Sequence, residues 1–442
     1  MIYIVNFESR NFGLFCLAKA ETVCQKNAMR RLTFALFFIF AFSVFGVPVD
    51  IDAKKIKEAE NIMWSRFFVP KTNLFYECLT SFDEKTCQSH LPTAEEVKRQ
   101  YPNPCGYATG MEDCAIVGGV VLAALSDHYA ATKDESLKLK AKKTLDGLEQ
   151  CVMPDGFVAR GLCAEDGKSV YINSSVDQYT HCIHGMWRYY RSPMCDEADK
   201  AKIKGALLRI AARLERNVVE KNNYDSLRYD GRQCALKISR FTCERPHAAA
   251  RLAMAYAAAW SVSGDEHYRR LYRALLDESV SVSEKIAVNS YTPIYSFLQM
   301  QVSLEVLREL ETDEQMRARI KNIMTKVANL CVGLMPRFEK RFDSADTAML
   351  YGDWRKPEKI ENRNGYMIPK LGESRNVWRI IRESGEIPLV LSLAPDFDFP
   401  ASAMSFFKKA TDKIDYGKCA SCGVIFHYAA YWSMMKNGTS AK

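Results

Sequence analysis

Apolar positions recur at steps of three and four over most of the chain from Lys54 onward, the period of helices with one buried face. The pattern predicts helices over roughly 53–67, 94–101, 110–132, 136–151, 176–191, 196–221, 246–262, 265–285, 293–310, 313–333, 374–393, 400–413 and 421–436. Breakers separate them: Pro102 and Pro104, Pro154-Asp-Gly156, Ser192-Pro193, Gly264-Asp265, Pro336, Pro357 and Pro395. Strand alternation is nearly absent. Consecutive antiparallel helix pairs without a fixed-period repeat predict an all-α toroid rather than an α-solenoid. An inner ring of helices is then packed by an outer ring, with long loops at one mouth.

Near the N-terminus the pattern changes. The apolar run Leu32–Phe45 follows Met29, Arg30 and Arg31 and ends in small residues at Val44 and Gly46. It reads as a secretory signal that starts at Met29 and is cleaved near Gly46, with residues 1–28 as an extension. The run is too short for a comfortable span of a bilayer about 30 Å thick. The expected organisation is therefore 1–46 as extension plus signal and 47–442 as a single toroid domain. The expected location is secreted or periplasmic, with no stable membrane span after cleavage.

Composition narrows the class. The chain has 442 residues, 48% hydrophobic and 26% charged, which excludes disorder and a multi-pass membrane protein. Net charge is +8, but the charges are interspersed, so no nucleic-acid partner is expected; the mild positive field suits an anionic small molecule or polysaccharide. Removing Cys16 and Cys24 from 15 cysteines leaves 13, an odd number. Cys78/Cys87 and Cys234/Cys243 are spaced to close short loops, and Cys419-Ala-Ser-Cys422 reads as a helix-terminal staple or two buried thiols.

Three linkers are long and chemically rich. Asp155–Ser175 holds Arg160, Tyr171 and Asn173; Asn222–Pro246 holds Tyr229, Asp230, Arg240 and Glu244; Ser344–Ser374 holds Tyr351, Trp354, Arg355, Asn362, Asn364 and Tyr366. Linkers of this length serve sites more often than not. Aromatics beside Arg, Asn and carboxylates match what sugars need: ring faces for apolar sugar faces, forked groups for hydroxyls and carboxylates.

Two stretches carry chemistry. Thr109-Gly-Met-Glu112 has the form of a capping box, which leaves Asp113 free for acid or base work at the mouth; Gly118-Gly119 allows close helix approach. In Tyr171–Arg191, Asp177, His181, His184, Arg188 and Arg191 share one helical face, and Ser174 or Ser175 is placed to cap that helix. A face rich in His, Gln, Trp and Tyr fits an enclosed cavity or a buried polar network rather than a solvated surface. Asp177, His181 and His184 have a spacing that permits metal ligation, yet no further His- or Cys-rich segment completes a site, so no metal is expected. Asn173-Ser-Ser175 is a glycosylation sequon. His247 is placed near the mouth, while His427 and the tryptophans Trp260, Trp378 and Trp432 have core-like positions. No nucleotide-binding, serine-esterase or zincin motif occurs, and no cofactor is expected.

With the paired helices, the Glu112-Asp113 helix start, Asp155-Gly-Phe-Val-Ala-Arg-Gly161 and Ser174-Ser-Val-Asp-Gln-Tyr-Thr-His181, the chain resembles secreted six-hairpin carbohydrate-active enzymes. These include unsaturated glucuronyl hydrolases and related glycosidases and polysaccharide lyases. The resemblance implies an (α/α)6 barrel over most of residues 50–436 and two aspartates on inner helices, to which Asp113 and Asp177 correspond. The function it implies is a glycoside hydrolase for an acidic or uronate-containing glycan. Asp113, Asp177 and His181 are the catalytic candidates; Arg160, Asn173, Gln178, Tyr179, His184, Trp187, Arg191, Tyr351, Trp354 and Arg355 are the substrate-binding ones. The alternatives are a lyase with Tyr179 or His181 as base and a non-catalytic glycan-binding protein.

Overall fold

In a computed structural model, residues 51–288, 292–361 and 365–438 are described. The segment from Met29 to Gly46 that was expected to act as a signal, with Asn362 and Asn364, lies outside them. The helices are α1 (Ala53–Ile62), α2 (Ala94–Lys98), α3 (Cys114–Thr132), α4 (Leu137–Cys151), α5 (Val176–Tyr190), α6 (Glu197–Asn217), α7 (Ala250–Ser263), α8 (Glu266–Ser283), α9 (Ile294–Leu310), α10 (Glu314–Ser344), α11 (Glu373–Ser392), α12 (Ala401–Lys413) and α13 (Val424–Lys436). Two short antiparallel pairs, β1 (Phe68–Val69) with β2 (Leu74–Phe75) and β3 (Lys359–Glu361) with β4 (Met367–Pro369), lie in the loops.

Helices α3, α5, α7, α9, α11 and α13 each pack on the next, and α13 packs back on α3, closing an inner ring. Helices α4, α6, α8, α10 and α12 cover that ring, and α1 completes the outer layer against α12 and α13. Burial follows from this position. Every residue from Cys114 to Tyr129 of α3 is buried, because neighbours surround it on all sides. Outer helices such as α8 instead bury one stripe, Tyr268, Tyr272, Leu276 and Val280.

The inner helices approach one another through glycine. A Cβ on Gly119 of α3 would sit 2.1 Å from the His181 carbonyl oxygen, and one on Gly185 of α5 would sit 2.4 Å from the Gly119 carbonyl oxygen. Such distances admit no side chain at this crossing.

The two layers also begin differently. Asp52, Asp196, Asp265 and Asp313 cap outer helices α1, α6, α8 and α10 by accepting backbone N–H bonds. All six inner helices start without a side-chain cap, at Asp113, Ser175, Ala249, Pro293, Gly372 and Gly423. Loop carbonyls serve instead at two of them: the Ala115 N–H of α3 donates to Arg160 O at 2.8 Å and the Val176 N–H of α5 to Ile238 O at 2.9 Å, while the positive ends of the dipoles stay at the mouth.

Several expectations are corrected. Helix α3 starts at Cys114 rather than at 110: Thr109 folds back on Gly106 O at 2.7 Å, and Glu112 accepts from the Ala108 N–H instead of closing a capping box. Ser175 precedes α5 without a side-chain cap. Helix α10 runs through Pro336, which lies on its exposed side. The cysteines expected to close loops are free thiols: Cys78 Sγ contacts His90 Nε2 at 3.4 Å, and Cys87, Cys234 and Cys243 are likewise unbridged. Cys419 and Cys422 are two buried thiols.

Candidate active site at the mouth of the toroid

The N-terminal turns of α3, α5, α9 and α11 converge on a cavity of about 280 Å³ lined by Asp113, Arg160, Asp177, Tyr295, Arg375, Trp378, Arg379, Arg382, Glu383 and Glu386 among others. Asp113 and Asp177, assigned to separate helices by the sequence, therefore share one space.

Asp113 is held on all sides. Its Oδ1 accepts from Gln178 Nε2 at 2.9 Å and Arg160 Nη1 at 3.5 Å, and its Oδ2 accepts from Arg382 Nη1 at 3.0 Å. Asp177 is freer. Arg251 donates to its Oδ1, Arg251 is itself held by Gln299 Oε1 at 2.6 Å, and about a third of the Asp177 side chain remains exposed.

Glu383 has the opposite setting. It is buried and ion-paired with Arg341, 3.0 Å from Oε2 on the outer helix α10, with Glu386 and Arg379 also close enough to act on it. Burial pushes its carboxyl up to about 7, against the pull of Arg341. Burial likewise raises Glu386, although Arg382 lies 2.7 Å away. Glu112, on the cavity wall, and Glu77 behind it are shifted in opposite directions. Burial opposes charge on both; Arg375, bound to Glu112 at 2.7 Å, holds Glu112 below the usual range, while Glu77 is raised by burial and by Glu112 itself.

The remaining sequence candidates are dispersed. Gln178 is fully buried and serves Asp113, with a second bond to Glu112 O at 3.0 Å. His181 lies deeper, in a narrow void on the ring axis between Val120, Ala123, Val302 and Leu389. Neither of its ring nitrogens has a hydrogen-bond partner among the described residues, and burial, with His184, Arg382 and Arg251 nearby, lowers it well below the usual histidine range. His184 faces the same void and bonds Glu305 Oε2 at 2.7 Å; Arg188 bridges Glu305 to Asp127. This is a buried polar network rather than a substrate subsite.

Trp187 and Arg191 lie at the opposite end. They line a second cavity of about 700 Å³ between the C-terminal ends of the inner helices, with the Arg191 guanidinium 4.7 Å from the Trp187 ring centroid. The expectation that they meet the same ligand as Asp113 is corrected: α5 spans the ring, so residues ten or more positions apart on one face reach different ends. Tyr179 is fully buried edge-on to Phe241 at 5.7 Å and does not line the mouth.

Loop residues are corrected too. Asn173 is fully buried and bonds Tyr366 Oη at 2.8 Å, so its sequon is inaccessible. Tyr351 accepts from Arg375 at 3.2 Å behind the cavity. Trp354 donates to His90 O at 2.8 Å, and Arg355 forks onto Glu96 at 2.7 and 2.9 Å, so both fasten the long loop before α11 to the N-terminal segment.

The residues missed by sequence lie on α11. Arg375, Arg379, Arg382, Glu383 and Glu386 recur at helical spacing on one face, a stripe of charge on an otherwise apolar helix. Alternating charge on a helix normally means a solvated face, and only the closed ring turns this one inward. Trp378, expected in the core, also lines the cavity, with Arg375 and Arg382 each 5.7 Å from its ring. His427 is a core histidine as expected, between Ser384 and Tyr416 at 2.8 and 2.9 Å.

No family model and no curated protein matches the chain. Among solved structures, a sugar epimerase from a ruminal bacterium is similar at 12% identity, over 88% of this chain and 99% of its own, with a TM-score of 0.50. The fold is the six-hairpin (α/α)6 toroid. A cellobiose 2-epimerase from Bacillus thermoamylovorans B4167 is similar at 12% identity over 87% of this chain and 99% of its own, with a TM-score of 0.46.

Proposed function

We propose that the protein is a carbohydrate-active enzyme, a glycoside hydrolase working through carboxyl groups at the mouth of the toroid. The observation that carries this reading is one cavity lined both by Glu383, which retains a proton near neutral pH, and by Asp177, a half-open carboxylate. Glycoside hydrolysis needs this division of labour: an acid protonates the leaving oxygen while a carboxylate activates water or attacks the sugar. Glu383 takes the acid role and Asp177 the base role. Asp113, with both oxygens engaged, orients the arginines of the floor. This revises the pairing of Asp113 with Asp177 suggested by sequence.

Asp177→Asn and Glu383→Gln variants should each lower kcat by at least a hundredfold on a cleaved glycan while keeping a folded circular-dichroism spectrum. Retained turnover in either variant removes that residue from the mechanism.

A second reading is epimerisation by proton transfer at carbon, the activity class for which the ruminal enzyme is named. His247 supports it only by position: it lies within electrostatic reach of Asp177 but, like Tyr179, off the cavity wall, and burial, then the nearby Arg251, lowers it to about 4. Heavy-oxygen water separates the two readings. Hydrolysis places the label at a new reducing end; epimerisation releases no new end and in deuterated water leaves deuterium on carbon. A lyase with Tyr179 as base has less support, since Tyr179 does not line the cavity.

A further inference from the structure

The carboxyls at the mouth draw their cations from different places. Asp113 is bonded to Arg160 and Arg382, Asp177 to Arg251, Glu112 to Arg375 and Glu386 to Arg382. Among the described residues Glu383 is the one cavity carboxyl bonded to a cation of the outer helices: Arg341 Nη1 of α10 donates to its Oε2 at 3.0 Å. The Arg341 side chain is 38% exposed, that of Glu383 only 8%. This pair therefore joins the outside of the toroid to the wall of its cavity. The Phe338 ring, one turn back on α10, has its centroid 5.7 Å from the Arg341 guanidinium and steadies its aim.

The other groups around Glu383 are placed differently. On its own helix Arg379 and Glu386 act on it with opposite signs, and the cavity wall adds Asp113, Asp177 and Tyr295 from the starts of α3, α5 and α9. Helix α13 places His427 on Ser384 and Tyr416. Helix α12 commits Lys409 to Glu339 and Asp343, and Lys413 to carbonyls at the end of α10. We propose that Arg341 is a positioning residue for Glu383, holding one carboxyl oxygen and tuning the acid from outside the ring; this rests on the hydrolase reading above. With Oε2 held, Oε1 is the oxygen left to carry a proton to the leaving group. The guanidinium also favours the ionised form, so it restrains a carboxyl that burial pushes up to about 7. Without that charge Glu383 keeps its proton to higher pH and releases it less readily.

The test uses the full chain with Arg341→Met, Arg341→Gln and Arg341→Lys, each with and without Glu383→Gln. Urea unfolding from pH 5 to pH 9 reads the proton on Glu383 without any substrate. The stability gap between each chain and its Glu383→Gln partner widens with pH until the folded carboxyl ionises, at about 7 in the wild type. In the two neutral variants the gap should level off about one pH unit higher, and in Arg341→Lys close to the wild type. Turnover of cellobiose, maltose and a glucuronate-terminated disaccharide is followed over the same range. On any that is cleaved, the alkaline limb of kcat/KM should move with the stability titration, and kcat at pH 6 should fall roughly 3–10-fold in the neutral variants with KM little changed. A titration that moves with Arg341 while the rate limb stays put, or while no probe is cleaved, upholds the hold of Arg341 on Glu383 and defeats the hydrolase reading. Cleavage with a titration unmoved in the neutral variants does the reverse. Equal losses in the lysine and neutral variants without a pH shift, or loss of the fold in both neutral variants, make Arg341 merely structural and overturn the inference.

Discussion

Glu383 gains its proton affinity from where it is buried, and that has a consequence for stability separate from any catalysis. Its carboxyl ionises at about 7 in the folded chain against an ordinary 4.5. Below the ordinary value it is protonated in both states and its contribution to stability is complete. As pH rises toward and through 7, the unfolded chain releases the proton first, and that contribution is lost. A Glu383→Gln variant cannot ionise, so its stability relative to wild type should rise by roughly 2–3 kcal/mol between pH 5 and pH 8. Urea unfolding at the two pH values checks this; a difference that stays flat or falls with pH means that Glu383 is not held protonated. At the same scale, Asp113 shows what a sequence motif conveys. The spacing from Thr109 singled out Asp113 through a capping box that does not form; Asp113 itself stands at the start of α3, makes no capping bond and lies at the mouth, and its three donors come from Arg160, Gln178 and Arg382, three separate segments. No local pattern encodes that set of partners.

The inner helices depend on backbone contact between elements. Gly119 and Gly185 bring α3 and α5 together, and Gly385 does the same for α11 against α13, where a Cβ would lie 2.5 Å from the His427 ring. Gly119→Ala should therefore destabilise the fold by about 3 kcal/mol or more, because its neighbour is main chain and has no rotamer to yield. Gly333→Ala on outer helix α10, with nothing within 4 Å of the added methyl, should be neutral or slightly stabilising. Denaturant midpoints of the two variants decide it, and equal effects would mean that the helix crossing is looser than these distances require. Helix existence was legible because the 3.6-residue period survives in almost every segment. Helix starts were less so: α3 begins four residues later than its pattern suggests, since a turn held by Glu112 and Thr109 competes for the same amides.

For the whole molecule, ring closure replaces covalent bracing. Among the described residues thirteen cysteines are free and all but Cys243 are buried. Reducing agent should leave the melting temperature unchanged, and a thiol-reactive dye should label few cysteines before denaturation. A fall in melting temperature with reductant would reveal a bridge. Secretion, proposed from the segment at Met29, is compatible with this state only because burial shields the thiols from an oxidising compartment.

By itself the sequence determined the all-α class and the paired helices, since periodicity and breakers are written within a few residues of one another. It also marked the polar face of α5, but as a single unit. Tertiary structure divided that face between two ends of the ring and a central network, because the helix is as long as the toroid is deep. It alone turned the charged stripe of α11 inward, and so decided which acid holds a proton, since that depends on groups brought together from distant parts of the chain.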